Sequence, residues 1–209
     1  MAPEDSKAPF FRIPWAASLL QRPNIICRIP GSRRPKSDLE DSLFAETLKT
    51  PRTLRSCMSF YQKPKADAEK IEECSTLFTV GDGLNGHANI MHGGIVASIL
   101  DEAMGILQTV NIEREHLLSV GKGQAQGELA PHGLGTFTVY LNIKYRAPVR
   151  TPGSLVATAK YVKREGRKEW IDAVIKQRVG HGEDDEGEEI VCATAEGMFV
   201  EPKRKGSKL

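Results

Sequence analysis

The stretch GHANIMHGGIVASILDEAMG, residues 86–105, combines two histidines, a pair of glycines and two adjacent acids. His92-Gly93-Gly94 stands at the entrance of an apolar run. A helix beginning there leaves its first backbone N–H groups unpaired and, because of the glycines, sterically open. Such an N-terminus polarises an oxygen through its N–H groups and its partial positive charge. That makes an oxyanion site to which a substrate carbonyl can come close. A carboxylate in the same region, Asp101 or Glu102, could activate water or attack directly. Ser98, Asp101, Gly105 and Gln108 recur at steps of three or four, forming one narrow polar strip on a helix otherwise apolar around most of its circumference. The same strip also suits a solvated face or a partner for a nearby Lys or Arg, and helix physics alone does not choose between these readings. His87 and His92 suggest a zinc pair, but no third ligand accompanies them. His92 is read instead as a hydrogen-bonding partner of the loop, and no metal or cofactor is expected.

These groups need an element to carry them and others to surround it. The spacing predicts one long buried helix over 93–110. Before it, STLFTV is a short strand ended by Gly81-Asp82-Gly83. After it come a glycine-rich loop, 121–135, and four strand-like runs at 136–145, 154–162, 169–179 and 189–200. The turns APVRTPG, KREGRK and HGEDDEGE each suit a hairpin, so the four runs should form an antiparallel meander. One helix with a set of hairpin-linked strands predicts an α+β domain, a curved antiparallel sheet wrapped around a single central helix. We place this domain at 71–202. Ahead of it, 38–70 reads as a helical extension and charged linker, with helical spacing at Leu39, Leu43, Phe44 and Leu48 and a break at Pro51. Residues 1–37 read as a mostly irregular basic arm anchored by Phe10, Phe11, Ile13 and Trp15, and 203–209 as a basic tail.

Composition narrows the classes. In 209 residues, 40% are hydrophobic and 27% charged, as expected of a globular chain with one real core. A formal net charge of +2 gives no reason to expect a polyanionic partner, and nothing resembles a nucleic-acid reader. The most apolar run is interrupted by Ser98, Asp101, Glu102 and Gln108, which argues against a membrane span. Four scattered cysteines without a CxxC pair suit a reducing compartment. The chain closes on Ser207-Lys208-Leu209, the tripeptide read by the peroxisomal import receptor. A mitochondrial presequence is the alternative, since seven Arg/Lys and no acid lie between Ser6 and Ser37. Pro9, Pro14, Pro23, Pro30 and Pro35 forbid the continuous amphipathic helix such a signal needs.

H-G-G with an Asp nine residues after the His, on one helix before a set of strands, resembles the PaaI-like hotdog-fold acyl-CoA thioesterases. TVYLNIKYRAPV (138–149) is similar to that family's T-x-x-L-N-x-x-Y-x-x-P strand, and EGRK (165–168) to a hairpin turn of its mitochondrial branch. The extension before residue 71 is similar to those of fungal members. The resemblance implies a homodimer or homotetramer that hydrolyses an acyl-CoA, with a fungal biosynthetic pathway as one setting, and the C-terminal tripeptide puts that activity in the peroxisome. It assigns the Gly94 amide to the thioester carbonyl, Asp101 to the role of base or nucleophile, and Thr138 to orienting water. His92, Gly93, Asn85, Asn89, Arg146 and Arg167 complete the expected substrate-binding set. The family's catalytic Asn belongs six residues before the His, where this chain has Gly86; Asn85 and Asn89 flank that place.

Basic residues at strand ends, Arg146, Arg150, Lys163, Arg164, Arg167 and Lys168, are either solvated turn residues or phosphate contacts for coenzyme A. Gly94 and Asp101 lie about 10 Å apart along a helix axis. One carbonyl cannot touch both in one subunit, whereas two antiparallel helices across a twofold axis could bring one subunit's Gly94 to the other's Asp101. Two other classes compete: a hotdog-fold (de)hydratase, for which no D-x-N-P-L-H-like stretch is present, and a non-hydrolytic acyl-thioester binder serving secondary metabolism.

Overall fold

Apolar residues alternate face by face along the strands. In the computed structural model, which describes residues 5–127, 135–179 and 187–203, that alternation builds two cores on one sheet. The strands are β1 (Ile25–Arg28), β2 (Leu54–Gln62), β3 (Glu73–Val80), β4 (Asn85–His87), β5 (Ile90–Met91), β6 (Phe137–Tyr145), β7 (Gly153–Glu165), β8 (Lys168–Val179) and β9 (Glu188–Val200). Seven of them form an antiparallel sheet in the order β1-β2-β3-β7-β8-β9-β6, and β4-β5 is a separate small hairpin. The helices are α1 (Ala8–Phe11), α2 (Pro14–Leu20) and α3 (Gly93–Gly121).

On the inner face Cys57, Phe78, Leu155, Ala157 and Ile175 meet Ile99, Ala103, Met104 and Leu107 of α3. Gly197 on β9 marks the closest approach: a Cβ there would lie 2.6 Å from the Met104 sulfur. On the outer face Met58, Phe60, Leu77 and Val156 are covered by Phe10, Trp15, Ala16 and Leu20 of α1 and α2. Leu77 and Phe78 therefore point into different cores, as the strand's two-residue period requires. At 29 residues α3 is long and apolar enough to cross a membrane, but its apolar side is buried against the sheet. An antiparallel sheet curled around one long helix is the hotdog fold.

The helix is longer than its apolar pattern alone predicts, and three other expectations change. Only Leu43–Thr47, a single π-helical turn, is realised of the helix expected in the 38–70 extension. Leu39 and Asp41 both have positive φ, which no helix continues through, and Asp38 accepts a hydrogen bond from Glu40 N–H in a local turn. Leu54–Gln62 is a strand buried on both faces, so it lacks the alternation that would have marked it. The meander is real for β7-β8-β9, but β6 pairs with β9 at the far edge, so the 146–152 connection crosses the sheet and is no hairpin.

The arm is not loosely held. Pro9 and Pro14 each fall in the first turn of a short helix, where proline is tolerated, and no continuous helix forms. Arg33, 1% exposed, donates to the carbonyls of Phe44 and Leu54 and to the Asp5 carboxylate. Asp5 in turn accepts from Cys57 N–H and pairs with Lys49 at 2.8 Å. The loop at 128–134, most of the acidic 183–189 stretch and the terminal Ser207-Lys208-Leu209 lie outside the described residues.

Candidate active site

The β4-β5 hairpin turns through Asn89, whose φ of 60° suits an Asn, and delivers His92 to the start of α3. Backbone hydrogen bonds fix this entrance on two sides. Met91 N–H donates to Val149 O at 2.9 Å, His92 N–H to Leu84 O at 2.8 Å, and Thr151 N–H to Asn89 O at 3.1 Å. The crossing connection between β6 and β7 thus clamps the hairpin. Tyr145, at the end of β6, donates its hydroxyl to Gly93 O at 3.0 Å.

His92 is the N-cap of α3, and its Nδ1 accepts the Gly94 N–H at 3.0 Å. The expected oxyanion donor is therefore occupied by the preceding imidazole, and a carbonyl can take it only when that ring swings aside. Gly93 N–H has no acceptor among the described residues. Gly86, at the place of the family's Asn, sits against the cap: a Cβ there would come within 2.9 Å of His92 Cα. No side chain fits without moving the helix entrance. Asn85 is tied to the Thr151 hydroxyl, and Asn89 serves the turn. Among the described residues no three His, Cys, Asp or Glu groups converge as metal ligands, and His87 and His92 have no third partner.

Two turns along α3, Asp101 Oδ1 accepts the Thr138 hydroxyl of β6 at 2.9 Å. The pair is within reach of solvent, with Asp101 half-buried and Thr138 exposed. One rung further, Gln108 accepts from the Thr136 hydroxyl at 2.8 Å and donates to the buried Glu169 at 2.7 Å. These two contacts register the edge strand on the helix. Glu102 faces another way. Its carboxyl accepts the Ser32 hydroxyl, and burial, the largest influence, pushes its pKa up to about 7. Asp41 and Asp101 push in the same direction, while Ser32 and Arg33 oppose.

The arginines do not converge. Arg146 is exposed beyond the Tyr145 end of β6, whereas Arg167 lies in the β7-β8 turn, bonded to Glu201 O. Register places that turn beside Val200 and hence the Phe137 end of β6. The two ends are separated by roughly 27 Å of strand, too far for one phosphate in one subunit. Arg164 pairs with Glu201 and Lys163 lies over the Trp170 ring. Tyr145 and Ser32 were not expected at the site. Tyr145 was visible as the Tyr of the strand motif; Ser32 carries no local signal, being brought in from the arm.

The helix entrance and the Asp101–Thr138 pair give the hotdog domain a histidine-capped glycine end and a carboxylate facing a hydroxyl. Residues 88–178, from the β4-β5 turn through α3 to the end of β8, match the model of the thioesterase superfamily. Verlamelin biosynthesis protein B of Lecanicillium sp is 28% identical over 135 residues, which is 57% of this chain and 58% of that protein. An uncharacterized protein of Schizosaccharomyces pombe is 30% identical over 121 residues, 58% of this chain and 55% of that one. The chain thus spans little more than half the length of these relatives. Among solved structures, a Bacillus halodurans protein with CoA is 26% identical, with a TM-score of 0.42, covering 63% of this chain and 70% of that one. A mutant acyl-CoA hydrolase from Staphylococcus aureus is 14% identical, with a TM-score of 0.47, covering 66% of this chain and 70% of that one.

Proposed function

We propose that this protein hydrolyses an acyl-CoA thioester to the free acid and CoA. The observation that carries the reading is the 2.9 Å hydrogen bond by which Thr138 orients the Asp101 carboxylate beside the helix whose N-terminus can polarise a carbonyl. Thr138 occupies Oδ1, leaving Oδ2 for a water molecule. Asp101 takes a proton from that water as its oxygen adds to the thioester carbonyl. Because Gly94 and Asp101 of one subunit lie about 10 Å apart, the developing oxyanion is held by the Gly94 N–H of a second copy, released from its own His92 cap, and by that copy's helix terminus. The C–S bond then breaks, and the sulfur leaves with the proton from Asp101 as the CoA thiol. Asp101→Asn should lower thiol release from acyl-CoA substrates by at least about a hundredfold, the scale of a lost general base, while the fold persists. Near-normal release by that variant would remove Asp101 from the mechanism.

One observation favours a second reading, a non-hydrolytic acyl-thioester binder: the His92 ring occupies the donor that hydrolysis needs. Absence of thiol release across a panel of acyl-CoAs that nevertheless bind would select it. A homodimer is part of our proposal. The outer edge of β6 has no strand partner among the described residues, and Phe137, Val139 and Tyr145 on it are all more than half exposed, an edge suited to a second copy. Similarity to a biosynthesis protein supports a place in a secondary-metabolite pathway.

For location we propose the peroxisome, addressed by Ser207-Lys208-Leu209. Support also comes from the arm, whose apolar residues are part of the outer core and would not be free to act as a removable mitochondrial leader. Deleting those three residues from an N-terminally tagged protein should leave it in the cytosol by fluorescence microscopy. Continued peroxisomal import would show that the address lies elsewhere.

A further inference from the structure

A cavity of about 250 Å³ lies between α3 and the segment that follows β1. Ser32, Lys36 and Asp41 stand on the arm side, Glu102 and Gly105 on the helix, and Thr136 on β6. It adjoins the reaction centre: Glu102 follows Asp101, Gly105 is one helical turn on, about 6 Å along the axis, and Thr136 is two residues from Thr138. A volume of about 250 Å³ has room for a short acyl group.

The lining sets these polar groups beside Pro30, Ile106, Val110 and Ile112, and its charges are already matched. Arg28 uses both terminal nitrogens on Glu113, and Lys36 is paired with Glu40 and Asp41. No unpaired cation among these is left for a phosphate. Glu102 differs, because Ser32 engages one of its oxygens and the other has no hydrogen-bond partner among the described residues. An acceptor facing a small cavity calls for a donor on the ligand. Resting on the thioesterase reading of the adjoining site, we propose that this cavity takes the acyl end of the substrate, and that Glu102, positioned by Ser32, selects a short acyl group bearing a hydroxyl. The open acceptor raises the affinity for a hydroxylated acyl group, and an unsubstituted chain leaves it desolvated and unpaired, so discrimination comes from both sides.

The test uses hydrolysis-resistant thioethers, so it does not depend on turnover. S-hexyl-CoA and a set of S-(hydroxyhexyl)-CoA isomers, with the hydroxyl moved carbon by carbon, are titrated into the full chain by calorimetry. At least one isomer should bind about tenfold more tightly than S-hexyl-CoA, the value of one charge-assisted hydrogen bond. Glu102→Leu should abolish that ratio, and Ser32→Ala, a milder change should Glu102→Leu not fold, should reduce it to about threefold. A ratio near one for every isomer, or a ratio unchanged in both variants, overturns the proposal. Selective binding without thiol release from the matching hydroxyacyl-CoA would overturn the hydrolase reading and leave the cavity's selectivity standing. Release without selectivity would do the reverse.

Discussion

Neighbouring carboxyls on α3 have been given opposite surroundings by the arm. Asp101 turns to Thr138 and solvent, while Glu102 is closed over by Ser32 with its pKa raised from 4.5 to about 7. A folded pKa above the unfolded one means that the fold binds the proton better. The resulting stability is complete below pH 4.5 and is lost as pH rises through 7. We expect unfolding free energy to fall across that window by on the order of 2 kcal/mol from Glu102 alone, with screening at a half-buried carboxyl allowed for. Urea titrations of wild type and Glu102→Gln at pH 4.5 and 7.5 check this, and equal pH dependence in the two would contradict it. Of these two acids, Asp101 does meet Thr138, the two residues that the family resemblance had marked for the site. Glu102 had no partner assigned to it, because that partner comes from a segment 70 residues away in sequence. The occupied Gly94 amide was likewise invisible, since a histidine N-cap depends on a ring rotamer.

At the scale of elements, α3 and β7 to β9 were readable from their patterns, and β3 was readable, though buried on both faces, because Gly81-Asp82-Gly83 ends it. β2, also buried on both faces, follows a helix-like spacing and was absorbed into the extension. The extended arm carries its own consequence for stability. Asp5 neutralises Arg33 inside the protein, 5% and 1% of their side chains being accessible. Removing one partner of such a pair leaves a buried charge uncompensated. Asp5→Ala should therefore cost about 3 kcal/mol in chemical denaturation. It should also speed protease cleavage within residues 6–28, because the clasp between the arm and β2 is lost. A loss below about 0.5 kcal/mol would show the pair to be dispensable.

For the whole molecule, the connection that carries the chain from β6 at the edge to β7 in the middle is what holds the helix entrance, and it leaves the outer edge of β6 without a strand partner among the described residues. Pairing order of this kind is set by long-range packing, so turn composition suggested hairpins throughout and misplaced β6. The proposed dimer predicts complementation. Gly94→Pro removes the amide donor near the helix start, where proline's φ is tolerable, and Asp101→Asn removes the base. Each variant alone should be inactive. If each site takes Gly94 from one subunit and Asp101 from the other, every mixed dimer has one intact site and one doubly damaged one. Co-refolding should then restore roughly a quarter of wild-type thiol release, since random pairing of a twofold assembly gives about half heterodimers. Native mass spectrometry verifies that heterodimers form; their presence without activity would assign both groups to one subunit.

The packing of α1 and α2 on Met58, Phe60, Leu77 and Val156 also sets a timetable for biosynthesis. Phe10, Trp15 and Leu20 leave the ribosome well before the surface that receives them, which is incomplete until Val156 has been translated, roughly seven to thirty seconds later at ordinary elongation rates. Throughout that interval the nascent chain presents a greasy, positively charged segment with nowhere to go. That segment is thus among the last to settle, although it is made long before the strand it rests on.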